Sequence, residues 1–241
     1  MAIRIEHLVK KYGKFIAVDD LSLEIYDNEI FALLGLNGAG KSTTINVLSA
    51  LITKTSGQVC VHGYDLDKNA KEIKKIVCVS PQETAVANNL SVYENLELIA
   101  TLYEVADKEK AVDAMIEKFR LREKQNAKAK TLSGGQKRRL SLAMALIVGP
   151  KILILDEPTL GLDVTARKGL WKIISGYKDK MTILLTTHYL EEAENLADRI
   201  GVMKKGKLVA CGTKEEIVKT ADAENFEEAF IRLAGGEDED A

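Results

Sequence analysis

No apolar run in this chain is long enough to cross a bilayer; runs such as residues 30–34 and 152–155 fall far short of it. The N-terminus lacks the uninterrupted apolar stretch of a signal peptide, so the chain itself is expected to be soluble, which leaves docking onto a membrane partner open. Cysteine is scarce: Cys60, Cys78 and Cys211 are scattered, odd in number and free of any Cys-x-x-Cys pair. That argues against a disulfide framework or a thiolate metal cluster, fits a reducing cytosol, and leaves three small buried hydrophobes as the expectation. No basic excess exists either, with 34 Lys and Arg against 36 Asp and Glu and a net charge of −2. Generic nucleic-acid binding is therefore disfavoured. No internal repeat is visible. What remains is 241 residues, 46% hydrophobic and 29% charged, enough to bury one sizeable core with room for a smaller subdomain.

Apolar patterning alternates between strand-like and helix-like segments, which predicts an α/β fold with a mostly parallel sheet. The front differs. Residues 3–5, 15–18 and 21–25 alternate apolar and polar with turns between, as a half-solvated antiparallel sheet does. Residues 30–34 are continuously apolar, as in a strand buried on both faces, and a helix is expected over 41–51. Short strands are expected at 59–61 and 76–79. Between Ser91 and Lys128 the period is helical, with Leu96, Ile99, Ala100, Leu102 and Tyr103 on one face and Ala111, Ala114, Met115 and Phe119 on the next. This stretch predicts a separate helical lobe, inserted over about 85–150 in a domain spanning 1–220. Strands at 152–155, 182–186, 200–203 and 208–211 and helices at 164–177 and 190–197 resume the α/β alternation. The remaining 221–241 read as an amphipathic Phe226/Ala229/Phe230/Leu233 helix and a disordered acidic end.

Gly35-Leu36-Asn37-Gly38-Ala39-Gly40-Lys41-Ser42 fits G-x-x-x-x-G-K-[ST], and it lies between a buried strand and a helix, the context that gives the pattern meaning. Its backbone N–H groups can curl around a phosphate at the helix's positive end. Lys41 supplies a point charge between the β- and γ-phosphates, and the Ser42 hydroxyl suits Mg²⁺, a hard cation. Residues 152–157 form an apolar strand ending in Asp156 and Glu157, at the edge where open α/β sheets bind ligands. Asp156 fits a Mg²⁺ ligand and Glu157 a general base toward water. Far downstream of the first glycine loop, Leu132-Ser133-Gly134-Gly135-Gln136 offers a second set of N–H donors at a helix start.

Together these residues resemble the nucleotide-binding subunit of ATP-binding-cassette (ABC) transporters, over about residues 3 to 220. Leu132 to Gln136 matches that family's signature sequence at all five positions. Tyr12 stands where the family has an adenine-stacking aromatic, Gln82 at its Q-loop glutamine, Gly161-Leu162-Asp163 at its D-loop and His188 at its switch histidine. The resemblance implies ATP and Mg²⁺ as cofactors. Tyr12, Gly35, Asn37, Gly38, Gly40, Lys41, Ser42 and Thr43 would contact the nucleotide, with Ser42, Gln82 and Asp156 at the metal and Glu157, His188 and Gln82 catalytic. Asp163 has a second reading, as the cap of the helix that follows. One departure is the small, polar stretch from Glu83 to Asn89, which the family pattern does not explain.

The resemblance also implies that one chain is incomplete. Ser133, Gly134, Gly135 and Gln136 would face outward and meet the ATP of a second cassette, so a head-to-tail homodimer or homologous heterodimer is expected, held by ATP and released by hydrolysis. A separate transmembrane permease would dock at the helical lobe and the Gln82 loop, placing the chain on the cytoplasmic face of a membrane. The motifs from Leu132 to Arg139, from Pro158 to Asp163 and from His188 to Glu194 look most like exporter-type subunits, linked to drug or lipid efflux. The chain ends soon after its last predicted strand, so a large regulatory domain is not expected within it. Two alternatives stand: a non-transport ABC ATPase, for example of iron–sulfur assembly type, and a non-hydrolysing regulatory module, against which intact Glu157 and His188 argue.

Overall fold

The structure is a computed structural model that describes residues 1–235; the acidic end, expected from sequence to be disordered, lies outside the described residues. Two sheets organise it. The first has the order β2-β1-β4-β5 and is antiparallel throughout: β1 (Ile3–Tyr12), β2 (Phe15–Ile25), β4 (Ser56–Val61) and β5 (Tyr64–Asp65). The second has the order β10-β9-β3-β8-β7-β6. Its strands β3 (Ile30–Gly35), β6 (Val77–Ser80), β7 (Ile152–Asp156), β8 (Thr182–Thr187) and β9 (Arg199–Lys204) are parallel, and β10 (Lys207–Gly212) closes it antiparallel to β9.

β3 shows why its sequence is continuously apolar. Ile30, Ala32 and Leu34 enter one hydrophobic core with the helices, while Phe31 and Leu33 enter the other, between the two sheets. Successive side chains of a strand point to opposite faces, so burial on both sides removes the alternation seen in β1 and β2. α1 (Lys41–Leu48) leaves β3 through the glycine loop, and its Ile45 and Leu48 pack into the inter-sheet core.

Between β6 and β7 lie α3 (Val92–Leu102), α4 (Lys108–Lys118) and α5 (Gly134–Leu146). α3 begins with a reciprocal cap, Ser91 with Glu94. Fully buried Asn95 ties its start to the preceding loop through Ala87, Leu90 and Ser91, which gives the unexplained 83–89 stretch an anchor. The expected faces hold in part. Leu96, Ala100 and Phe119, which follows α4, are buried, and Ile99, Ala111 and Met115 pack half-buried against the core; but Leu102, Tyr103 and Ala114 stand exposed, and the fully buried positions of α4 are Val112 and Ile116. The two candidate stripes on α4 lie one residue apart, and branched or aromatic side chains gain more from burial than alanine.

α6 (Val164–Ser175) and α7 (Leu190–Leu196) flank β8, and α2 (Ala70–Ile76) precedes β6. After β10 come α8 (Lys214–Thr220) and α9 (Phe226–Ala234), whose Phe226, Ala229 and Phe230 pack into the main core. The expected burial of all three cysteines is also corrected: Cys60 and Cys78 are half-buried and Cys211, on the edge strand β10, is exposed.

Candidate functional site

The carboxyl ends of β3, β7 and β8 converge on one cleft of about 330 Å³. Its lining combines Asn37, Gly38, Gly40, Lys41, Ser42 and Thr43 with Gln82, Glu157 and His188. Sequence positions far apart are thus brought together. Tyr12, Gly35, Asp156, Asp163 and the whole Ser133, Gly134, Gly135, Gln136 turn are not among the lining residues, whereas Phe15, Ala17 and Leu160, which the sequence did not single out, are.

The glycine loop requires its glycines. Gly38 and Gly40 have φ of 81° and 101°, the left-handed region that side chains resist. A Cβ on Gly40 would sit 2.5 Å from the Ala17 carbonyl, and one on Gly35 would sit 2.6 Å from that of Met203. Gly40 starts α1 without a side-chain cap, so the first N–H groups of the helix point into the loop available for an anion. The β9–β10 turn braces this loop, since Gly206 donates to Ala39 O at 3.0 Å and Asp19 donates to Gly206 O at 2.9 Å.

Lys41 is nearly buried; its ammonium donates to Gly35 O at 2.7 Å and lies 3.4 Å from Glu157 Oε1. Glu157 Oε2 is 2.8 Å from His188 Nδ1, so a cation and an imidazole flank the two carboxylate oxygens. Glu157 has φ of 47°, an unfavourable conformation for a side-chain-bearing residue that the surroundings must enforce. Its N–H donates to the Thr186 carbonyl at 3.1 Å and to the Thr186 hydroxyl at 3.2 Å. That hydroxyl donates in turn to Asp156 Oδ1 at 2.5 Å, and Ser42 Oγ reaches the same oxygen at 3.3 Å.

No group of three or more His, Cys, Asp or Glu side chains among the described residues could hold a metal by itself. Ser42, Asp156 and Gln82 instead offer a few oxygen donors beside a phosphate-binding loop. This fits Mg²⁺, which keeps most of its waters and takes substrate phosphates to complete its shell.

The second glycine turn has a different local structure. Ser133 and Gln136 form a reciprocal cap: Ser133 N–H donates to Gln136 Oε1 at 2.9 Å and Gln136 N–H donates to Ser133 Oγ at 3.3 Å. Gly135 faces the start of α6, where a Cβ would approach that of Ala166 to 3.2 Å. Asp163 caps α6, accepting from Ala166 N–H at 2.8 Å, so its capping reading holds. Tyr12 is half exposed at the β1–β2 hairpin and pairs across it with Phe15.

Behind the cleft sit two buried ionisable side chains to which the sequence reading gave no role of their own. Arg138 of α5 donates to the carbonyls of Pro158, Asp156, Gln82 and Pro81. Burial draws its guanidinium below the ordinary arginine range, against the pull of Glu192, Asp156 and Glu157. Glu192 of α7 is fully buried and accepts from Trp171 Nε1 at 3.1 Å; burial pushes its carboxyl up, against hydrogen bonds from Thr187 and Trp171. Arg138 has a legible signal in its spacing, since Ser141 and Leu142, three and four residues on, are both buried on the same face.

Known proteins resemble this chain in sequence and in fold. The sequence model of a family described as ABC transporter matches residues 18–160. ATP-binding cassette sub-family A member 2 of Rattus norvegicus is 41% identical over 217 residues, covering 88% of this chain and 9% of that protein. Phospholipid-transporting ATPase ABCA3 of Homo sapiens is 40% identical over 217 residues, with 88% and 13% covered. The chain therefore spans about a tenth of the length of these curated relatives. Among solved structures, an ATP-binding subunit of an ABC transporter superposes with a TM-score of 0.87 at 28% identity, covering 97% of this chain and 99% of that one. A dimeric ATP-binding cassette in a post-hydrolysis state, bound to ADP and Pi, gives 0.79 at 25% identity, with 88% and 98% covered.

Proposed function

The chain belongs to the ABC transporter family, and from that premise we propose that it is an ATP-hydrolysing cassette that works as a head-to-tail pair and drives transport through a membrane permease. One observation carries this reading: a single cleft gathers the glycine loop, Gln82, Glu157 and His188 from four separate segments.

In this reading the triphosphate lies along the N–H groups of the loop and α1, with Lys41 between its β- and γ-phosphates. Asn37, Thr43 and Gly35 complete the cradle, and the Tyr12–Phe15 hairpin offers aromatic faces to the base. Ser42, Asp156 and Gln82 would hold Mg²⁺, which when bound would neutralise charge developing on the phosphates. Glu157 accepts a proton from the attacking water. His188 holds the carboxylate in place through its Nδ1 contact and, as a lining residue of the cleft, can donate a hydrogen bond to the γ-phosphate. Ser133, Gly134, Gly135, Gln136 and Asp163 act on the ATP of the second cassette; their place outside their own cleft, and the dimeric neighbour, support this.

The domain reading is one cassette over 1–220 with an inserted helical lobe at about 85–150. A groove of about 380 Å³ beside that lobe, lined by Leu51, Val77, Ile99 and Tyr103 among others, supports permease docking on a membrane's cytoplasmic face. None of the helices among the described residues is long and apolar enough to span a membrane, so any spanning segments belong elsewhere. The phospholipid-transporting relatives favour lipid as cargo over the alternative of a non-transport ATPase.

The test is phosphate release from Mg-ATP. Glu157→Gln should hydrolyse about 10²–10⁴-fold more slowly than wild type while still binding ATP. Equal turnover would remove Glu157 from its role.

A further inference from the structure

We propose that Arg138 is a positioning residue that fixes the peptide carrying Glu157 and the loop carrying Gln82 to the helix that presents the Ser133 turn. The inference rests on the catalytic reading of Glu157 and Gln82 given above.

Arg138 lies one turn into α5 and is only 4% exposed. Its Nε donates to Pro158 O at 2.8 Å and its Nη2 to Asp156 O at 2.8 Å. Its Nη1 donates to Gln82 O at 3.3 Å and also to Pro81 O. One rigid guanidinium thus spans two chain segments, the β6–α3 loop and the end of β7. The planar fork of five N–H donors permits this, whereas a lysine ammonium, a compact point donor, cannot reach both segments at once.

The bond to Asp156 O matters most. That carbonyl belongs to the same peptide group as the Glu157 N–H, which Thr186 holds from the opposite side. The peptide is therefore gripped at both ends, by α5 through Arg138 and by β8 through Thr186. This double grip fixes the peptide before Glu157, and the Leu160 N–H, which donates to Glu157 O at 3.2 Å, holds the peptide after it; together they set the left-handed conformation of Glu157 and hence where its carboxylate points. Because the same side chain holds Gln82 O, a displacement of α5 shifts the Gln82 loop and the Glu157 peptide together. A carboxylate or amide moved by about 1 Å can slow a reaction by about a hundredfold without changing what binds.

The test compares wild type, Arg138→Lys and Arg138→Met as the full chain. The readouts are ATPase kinetics, the affinity of a fluorescent ATP analogue, the unfolding midpoint, and hydrogen exchange of residues 80–84 and 155–159. In Arg138→Lys, kcat should fall about tenfold to a hundredfold, with KM and analogue affinity within about twofold of wild type. Exchange should quicken in those two segments and not elsewhere. Arg138→Met should lose at least as much kcat; should it fail to fold, Arg138→Lys, which keeps the buried charge, carries the test alone. An active wild type beside an equally active Arg138→Lys overturns the inference and leaves the catalytic reading standing. A loss of kcat matched by equal losses of affinity and global stability overturns it too, as a purely structural role. A wild-type chain that binds no analogue removes the catalytic reading and this inference with it.

Discussion

Removing Lys41 should do two separable things. Its ammonium lies 3.4 Å from Glu157 Oε1, and both residues are 6% exposed. At an effective dielectric of about 20 the attraction is about 5 kcal/mol. Desolvation of the two charges offsets most of it, so the net coupling should be about 1–3 kcal/mol. Lys41→Met takes the cation from the Glu157 carboxylate, which keeps its contact to His188, and should destabilise the fold by about 2–3 kcal/mol. At this chain length that is a fall of very roughly 4–12 °C in Tm. Glu157→Gln should cost less, since Lys41 keeps the Gly35 and Leu36 carbonyls. The double variant should then be more stable than the sum of the two single losses. Urea unfolding without nucleotide measures the cycle. Agreement with simple addition to within about 0.5 kcal/mol would refute the coupling. ATP affinity should behave differently: Lys41→Met loses about 10–100-fold, the value of a charged hydrogen bond, and the second substitution does not restore it.

Two further outcomes follow from the same geometry. Burial holds the Glu192 carboxyl above its usual 4.5, so its contribution to stability is full below that pH and is lost as pH rises through the folded value. Glu192→Gln, which mimics the protonated form, should therefore gain on wild type as pH rises above 4.5 in thermal unfolding; a constant gap would contradict this. Gly40→Ala should lose both stability and nucleotide binding, because its Cβ meets the Ala17 carbonyl at 2.5 Å with φ at 101°. Gly38→Ala, with open space around its Cβ, should cost only the backbone strain of about 1–2 kcal/mol in unfolding.

The parts of this molecule that sequence reveals are those where one physical demand dominates. β3, the glycine loop and α1 follow from a strand buried on both faces and a turn that only glycine tolerates. β2 was less transparent. Asp19 and Asp20 suggest a turn, yet the strand runs through them as a bulge, with His7 and Asp20 both at positive φ and joined by a 2.7 Å side-chain contact. α2 and α8 each bury a single residue, Ile73 and Ile217, so no apolar stripe marks them, although Thr213 and Glu216 do carry a capping signature. In the site, residues with a motif of their own were found, and those that act by supporting them were not. Thr186 looks like an ordinary strand residue until its hydroxyl meets Asp156. Phe15 enters the cleft because the hairpin after Tyr12 turns it there, a tertiary fact with no local trace.

The central claim is that two chains share each triphosphate. The direct measurement is a structure of the Glu157→Gln protein trapped with Mg-ATP. The γ-phosphate should be bound by Lys41 of one protomer and by the Ser133–Gly135 turn of its partner. A monomer, or a dimer in which one chain supplies both Lys41 and Ser133 to the same phosphate, would contradict the account.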